Sequence, residues 1–163
     1  VPIEFINGNL FDNVRGVQAF AHGCNCLGSM GAGIAKAFRE RYPAMYEEYR
    51  RRCKAQPREF NLGDAWLWKD ADRAWVFNLG TQEGYWRSRA TYDAVEQSLT
   101  AMRRTADAEG VRSIAMPRIG AGLGGLSWKK VRILMERVFA DWAGTLVVYE
   151  EFVPAGSVAA ADH

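Results

Sequence analysis

Histidine is almost missing from this chain, two in 163 residues, and cysteine is scarce, with three. Cys24, Cys26 and Cys53 form no CxxC pair, and their odd number argues against a disulfide-stapled secreted scaffold, so a reducing, cytoplasmic setting is expected. No apolar run approaches the ~20 residues needed to cross a bilayer, so no membrane partner is expected. Val1-Pro2 leads directly into the strand-like Ile3-Glu4-Phe5-Ile6, without a basic segment ahead of a long apolar stretch, and no signal peptide is predicted. A strong charge of one sign is also lacking. The formal net charge of +2 does not by itself imply a nucleic-acid partner, and Arg50-Arg51-Arg52 and Arg103-Arg104 read as solvated helix faces. The GxxxxGK[ST] spacing is absent, which argues against a P-loop nucleotide triphosphatase.

What is present is the composition of an ordinary globule, 48% apolar and 25% charged, of a length that forms one domain with a proper core. Strand-like and helix-like patterns alternate throughout. Strands are predicted at 3–7, 17–23, 65–69, 74–79, 112–116 and 145–149, and helices at 32–41, 44–53, 89–109 and 127–141. Pro43 suits a first helical turn, Gly110 a helix C-terminus and Ser127 an N-cap. This alternation predicts α/β architecture, a mixed, largely parallel sheet covered by helices on both faces. The domain is expected to occupy 1–154, followed by a poorly ordered tail of small and polar residues, 155–163.

Strand, glycine-rich loop and helix follow one another twice. The first loop is Gly28-Ser29-Met30-Gly31-Ala32-Gly33, running into Ile34-Ala35-Lys36. Glycines let a backbone approach a ligand and turn its N–H groups inward, and the helix start that follows favours an anion such as phosphate. The second loop, Gly120-Ala121-Gly122-Leu123-Gly124-Gly125, satisfies GxGxxG, but it lies before the last strand and not at the head of a βαβ unit. Two such loops in one small domain read as two walls of a cleft that grips a diphosphate. A dinucleotide-dependent oxidoreductase is the competing reading, and it predicts NAD binding in preference.

His22, Cys24 and Cys26 share one side of a strand at period two. Three ligands so close on one strand converge poorly on a tetrahedral ion, so no metal and no cofactor is called for, and the cysteines read as core. His22 is the histidine placed to titrate in a cleft. Asn25, at the strand end, reads either as a ligand for ribose hydroxyls or as a turn former. Trp66, Trp68, Trp75 and Phe77 read as core and sheet-face residues. Tyr149 and Phe152, near the end of the final strand, read either as rings that stack on an adenine or as core.

Four segments together resemble a macro domain over nearly everything from Ile3 to Phe152: Asn7-Gly8-Asn9-Leu10-Phe11; Ala21-His22-Gly23-Cys24-Asn25-Cys26 leading to Met30-Gly31-Ala32-Gly33-Ile34-Ala35; Thr91-Tyr92; and Met116-Pro117-Arg118-Ile119-Gly120-Ala121-Gly122-Leu123. Within the family they are most similar to the branch with the terminal ADP-ribose glycohydrolase of animals, the yeast ADP-ribose 1''-phosphate phosphatase and the DNA ADP-ribosyl glycohydrolase antitoxins. The resemblance implies a three-layer α/β/α fold and ADP-ribose or a derivative as ligand, with an ADP-ribosylated protein or DNA as a further partner. It implies adenine near Gly8, Asn9 and Leu10, and phosphates on Met30, Gly31, Ala32, Gly33 and Ile34 and on the loop from Arg118 through Ile119, Gly120, Ala121 and Gly122 to Leu123. It implies a distal ribose near Asn25.

Three departures accompany it. Asn9 stands where many macro domains carry aspartate, Thr81-Gln82-Glu83 where the glycohydrolases of this branch carry a lysine, and Gly124 where the animal enzyme has an aspartate. Glutamine cannot replace a lysine that attacks or stabilises an opened sugar. His22, Gln82 and Glu83 are then the catalytic candidates, a histidine or carboxylate serving as general base on water or as acid toward a leaving group. The expected activity is hydrolysis of an ADP-ribose derivative, of the ADP-ribosyl glycohydrolase or ADP-ribose 1''-phosphate phosphatase type. The alternative is a module that reads ADP-ribose without cleaving it.

Overall fold

The computed structural model describes residues 2–84 and 89–152. Its strands are β1 (Ile3–Gly8), β2 (Ala19–Asn25), β3 (Ala65–Trp68), β4 (Trp75–Gln82), β5 (Ser113–Pro117) and β6 (Thr145–Phe152). Its helices are α1 (Gly33–Arg41), α2 (Pro43–Lys54), α3 (Tyr92–Glu109) and α4 (Trp128–Phe139). The six strands form one sheet in the order β1-β6-β5-β2-β4-β3. Every pairing is parallel except that of the edge strand β3 with β4. Among the described residues no helix is long and apolar enough to cross a membrane. The predicted tail, 155–163, lies outside the described residues.

Because strand side chains alternate, each strand feeds two cores. Ala19, Ala21, Phe77, Leu79, Ile114, Met116, Leu146 and Val148 pack under α3 and α4, against Val95, Leu99, Met102, Val131, Met135 and Phe139. Phe20, Cys24, Val76, Ala115, Val147 and Tyr149 face the other way, against Phe38 of α1 and Met45, Tyr49 and Cys53 of α2. The result is the expected three-layer α/β/α sandwich. Burying an aromatic such as Phe38, fully enclosed, is worth roughly 1.5–3 kcal/mol.

Local chemistry sets the element boundaries. Thr91 caps α3 by accepting a hydrogen bond from the Ala94 N–H at 3.1 Å, and Gly110 ends that helix at φ +72°. Ser127 caps α4, as predicted, and Pro43 occupies the first turn of α2. The strands that reach the functional edge run further than their apolar cores suggest. β2 continues to Asn25, β4 through Gly80-Thr81 to Gln82, and β6 to Phe152, because ladder pairing with neighbours carries polar residues and glycine along.

Candidate functional site

The sheet has a reversal of winding at its centre. From β2 the chain passes through α1 and α2 to strands on one side, and from the adjacent β5 it passes through α4 to β6 on the other. Crevices at such switch points, outside the carboxyl ends of the strands, are where open α/β sheets bind ligands. Here the crevice is built into the ladder. β2 pairs with β5 at Ala19↔Ile114 and Phe20↔Ala115, and beyond that the ladder stops while β2 runs on to Asn25 and β5 to Pro117.

The two glycine loops leave these diverging ends. They meet across the gap: a Cβ on Gly33 would lie 3.5 Å from Cδ1 of Leu123, whose side chain is exposed. Each loop has an apolar anchor at its root, Met30 in one and Ile119 in the other, both buried. Gly31, Ala32, Gly33, Gly122 and Leu123 are exposed, while Ile34, Gly120 and Ala121 are half-buried. Arg118 is exposed beside the root of the second loop. Gly33 itself stands at φ +60°, a left-handed conformation suited to glycine. Gly124 has no room for a side chain, since a Cβ there would come within 2.7 Å of the Gly120 carbonyl oxygen and 2.9 Å of Ala90 Cβ. An aspartate at 124 would displace this turn.

The start of α1 is electrostatically open. Ala32, its N-cap, supplies no side-chain hydrogen bond, and the first turn carries no acidic residue. The N–H groups of that turn therefore lack the partners that Thr91 and Ser127 give to α3 and α4, and they form the positive end of the helix dipole. With an exposed glycine loop leading into them, they can receive a phosphate.

A family model described as "Macro domain" matches residues 21–135. The chain belongs to the macro domain family. It is 30% identical over 152 residues to the DNA ADP-ribosyl glycohydrolase of Thermus aquaticus, a match covering 91% of this chain and 41% of that protein. It is 26% identical over 162 residues to the ADP-ribose 1''-phosphate phosphatase of Meyerozyma guilliermondii, covering 83% of this chain and 93% of that one. The chain thus spans about two fifths of the first relative and nearly all of the second. The solved macrodomain of Thermus aquaticus DarG superposes with a TM-score of 0.81 at 30% identity, covering 91% of this chain and 97% of that chain.

Within this macro domain the candidates fall into two groups. His22 is not in the cleft. Its ring is wholly buried, stacked on Phe38 of α1 at 4.0 Å between centroids, and its Nε2–H donates to Asn78 Oδ1 at 2.7 Å. Asn78 is oriented for this by donating its amide N–H to the Trp66 carbonyl at 3.3 Å. Burial lowers the imidazole pKa from 6.5 to about 4, with the Asn78 bond opposing the shift. The even positions of β2 face the α1/α2 layer, so His22 is core like Phe20 and Cys24. The three thiols are buried too. Burial pushes Cys24 and Cys53 up and Cys26 up to about 12, so none supplies a thiolate near neutral pH. Among the described residues no group of three or more His, Cys, Asp or Glu could hold a metal ion.

Asn25 is occupied as a turn former. Its Oδ1 accepts from the N–H of Leu27 at 3.0 Å and of Ser29 at 3.3 Å, and its amide donates to the Ser29 carbonyl at 2.7 Å. Tyr49 of α2 locks it from beneath, donating to the Asn25 carbonyl at 2.7 Å with Oδ1 3.0 Å away. Asn9 behaves similarly, its Oδ1 accepting the Phe11 N–H at 2.9 Å to cap the 3-10 turn Leu10–Asp12. Leu10 is fully buried, and Tyr149 is 2% exposed in the α1/α2 core, which leaves its ring no face for stacking. Gly8, at φ +142°, lies against the Tyr149 ring, and Phe152 is its register partner across β1 and β6.

Gln82 and Glu83 lie at the C-terminal end of β4, beside the end of β2 where the first glycine loop begins. Gln82 is the register partner of Asn25, and its amide donates to the Gly84 carbonyl at 2.5 Å. The Glu83 carbonyl accepts the Cys26 N–H at 3.1 Å, and its carboxylate pairs with Arg58, which holds it below the usual carboxylate range. Sequence reading missed Tyr49 and Arg58. Tyr49 carries only the signal of a helix core position, and Arg58 lies in an irregular segment where no periodicity marks it.

Proposed function

We propose that this macro domain binds ADP-ribose, with the diphosphate between the two glycine loops, and hydrolyses a bond at the distal ribose. The observation that carries the reading is the pair of diverging strand ends, β2 and β5, each delivering an exposed glycine loop into one crevice, with the uncapped start of α1 facing the same loop. A charge next to a helix start gains roughly 0.3–2 kcal/mol, to which backbone N–H groups on both loops add direct hydrogen bonds. The names of the relatives, a DNA ADP-ribosyl glycohydrolase and an ADP-ribose 1''-phosphate phosphatase, favour a substrate that is either an ADP-ribosylated macromolecule or ADP-ribose 1''-phosphate. Three unpaired buried thiols favour a reducing, cytoplasmic setting.

With His22 in the core and no lysine at 82, water activated by a carboxylate is the proposed route, with Glu83, at the end of β4 beside the start of the first loop, as the candidate. The same two facts favour a second reading, a module that binds ADP-ribose without turning it over. Incubation with ADP-ribose 1''-phosphate, ADP-ribosylated protein and ADP-ribosylated DNA decides between them. Release of phosphate or ADP-ribose identifies the linkage and supports the enzyme. Binding of ADP-ribose without release from any of the three supports the reader.

A further inference from the structure

We infer that Arg58 is a positioning residue for this hydrolysis: its guanidinium grips the Glu83 carboxylate and fixes where that carboxylate can take a proton from water. The inference rests on the hydrolase reading above. Arg58 lies in the segment between α2 and β3, and both of its Nη atoms reach Glu83, Nη1 to Oε1 and Nη2 to Oε2 at 3.2 Å. The guanidinium is itself braced. Its Nε donates to Asn61 Oδ1 at 2.9 Å, the Asn61 amide donates back to the Arg58 carbonyl at 3.1 Å, and the Asn61 N–H is held by Asp64 Oδ2 at 2.7 Å.

Glu83 is fixed from its other side through its main chain. Its carbonyl accepts the Cys26 N–H, one residue beyond the Gln82 and Asn25 register pair, so the backbone at Glu83 is tethered across the ends of β4 and β2. Its side chain is 46% exposed, which leaves it open to water, while that of Arg58 is 27% exposed. An ion pair of two free surface side chains contributes little to stability. A fork-on-fork pair with both partners braced, at the C-terminal ends of β4 and β2, fixes geometry instead.

In the proposed step Glu83 takes one proton from water. The water oxygen bonds to the anomeric carbon of the distal ribose, and the bond from that carbon to the leaving group breaks. The electron pair stays with the leaving group, which takes up a proton from solvent, and Glu83 then returns its own proton to solvent. No oxidant or reductant is needed. The charged and titratable groups around Glu83 are Arg58, the Cys26 thiol just after β2 and, beyond it, Asp64 and the Cys53 thiol of α2. The thiols stay neutral through the working range because burial raises both. Arg58 is therefore the group that holds the Glu83 carboxylate below the usual carboxylate range.

The test is steady-state kinetics with whichever linkage the protein cleaves, as a function of pH, on Arg58→Met, Arg58→Lys, Glu83→Gln and the Arg58→Met/Glu83→Gln double variant. ADP-ribose affinity is measured on each by calorimetry. Arg58→Met is expected to lower kcat by about tenfold or more, with KM and ADP-ribose affinity within about twofold. It is also expected to move the acid limb of kcat/KM to higher pH. Arg58→Lys should restore part of both effects, and the double variant should lose no more than Glu83→Gln alone. An Arg58→Met protein with unchanged kcat and acid limb overturns the inference, and so does one that loses ADP-ribose binding along with turnover. If Arg58→Met does not fold, the acid limb of Arg58→Lys decides, and an unshifted limb is the refuting result. A wild type that binds ADP-ribose but releases nothing from any substrate overturns the hydrolysis and this role together. One that does not bind ADP-ribose overturns the proposed function itself.

Discussion

A buried neutral histidine in the first loop's own strand makes acid stability a direct readout of the fold. His22 is enclosed under Phe38, and its pKa falls from 6.5 to about 4. As pH drops below 6.5 the unfolded chain takes up a proton at this position while the folded chain does not. Stability from this residue is therefore full above about 6.5 and is lost progressively down to about 4. Each unit is worth about 1.4 kcal/mol, so between pH 7 and pH 5 His22 alone removes about 2 kcal/mol. The carboxylates held low by arginines, Glu4, Glu48, Glu59, Glu83 and Asp141, also lose their contribution on acidification, mainly below the pH of ordinary carboxylate titration. They are separated from His22 by a variant. His22→Gln keeps an amide N–H for Asn78 Oδ1 but does not titrate. Urea unfolding of wild type and His22→Gln at pH 7 and pH 5 should show a pH-dependent loss about 2 kcal/mol larger in the wild type. Equal losses in the two proteins would mean that the imidazole protonates as freely in the folded state as in the unfolded, which refutes its placement in the core.

Two further outcomes follow from the loops. Gly122 has nothing within 4 Å of where a Cβ would sit, so Gly122→Val should change stability by no more than about 0.5 kcal/mol while filling the cleft. Calorimetry should then show ADP-ribose affinity reduced at least tenfold, roughly 1.4 kcal/mol. Tyr49→Phe removes the hydroxyl that holds the Asn25 carbonyl and is expected to cost about 1–2 kcal/mol in urea unfolding. Because Asn25 shapes the first loop, ADP-ribose binding should weaken with it. A destabilised Tyr49→Phe protein with unaltered affinity would mean that the loop holds its shape without that bond.

The fold was legible where a single physical signal acted alone. Alternating apolar residues marked the strands, Ser127 and Gly110 marked helix ends, and the repeated order of strand, glycine loop and helix located both glycine loops. Legibility failed where two signals competed. Asn25, Gly80, Thr81 and Gln82 have turn-forming or polar character, yet the parallel ladder carries them, so β2 and β4 extend past their apolar runs. His22 looked like a cleft residue because it precedes the first glycine loop in sequence. Strand alternation aims it into the α1/α2 layer instead, and only the Phe38 and Asn78 contacts reveal that. Asn25 is adjacent to the first glycine loop in the same way; its side chain takes the turn-forming alternative, through local bonds to Leu27 and Ser29, and it is the Tyr49 contact from α2 that spacing does not encode. Arg58 reaches Glu83 across 25 residues, a pairing for which no sequence pattern exists.

Titration of the wild-type chain with ADP-ribose in a calorimeter, with NAD as the comparison ligand, tests most directly whether the crevice between β2 and β5 is a diphosphate site. Saturable binding of ADP-ribose, tighter than that of NAD and weakened by Gly122→Val, is the predicted result. No heat of binding with ADP-ribose, or equal binding to the Gly122→Val protein, would contradict it.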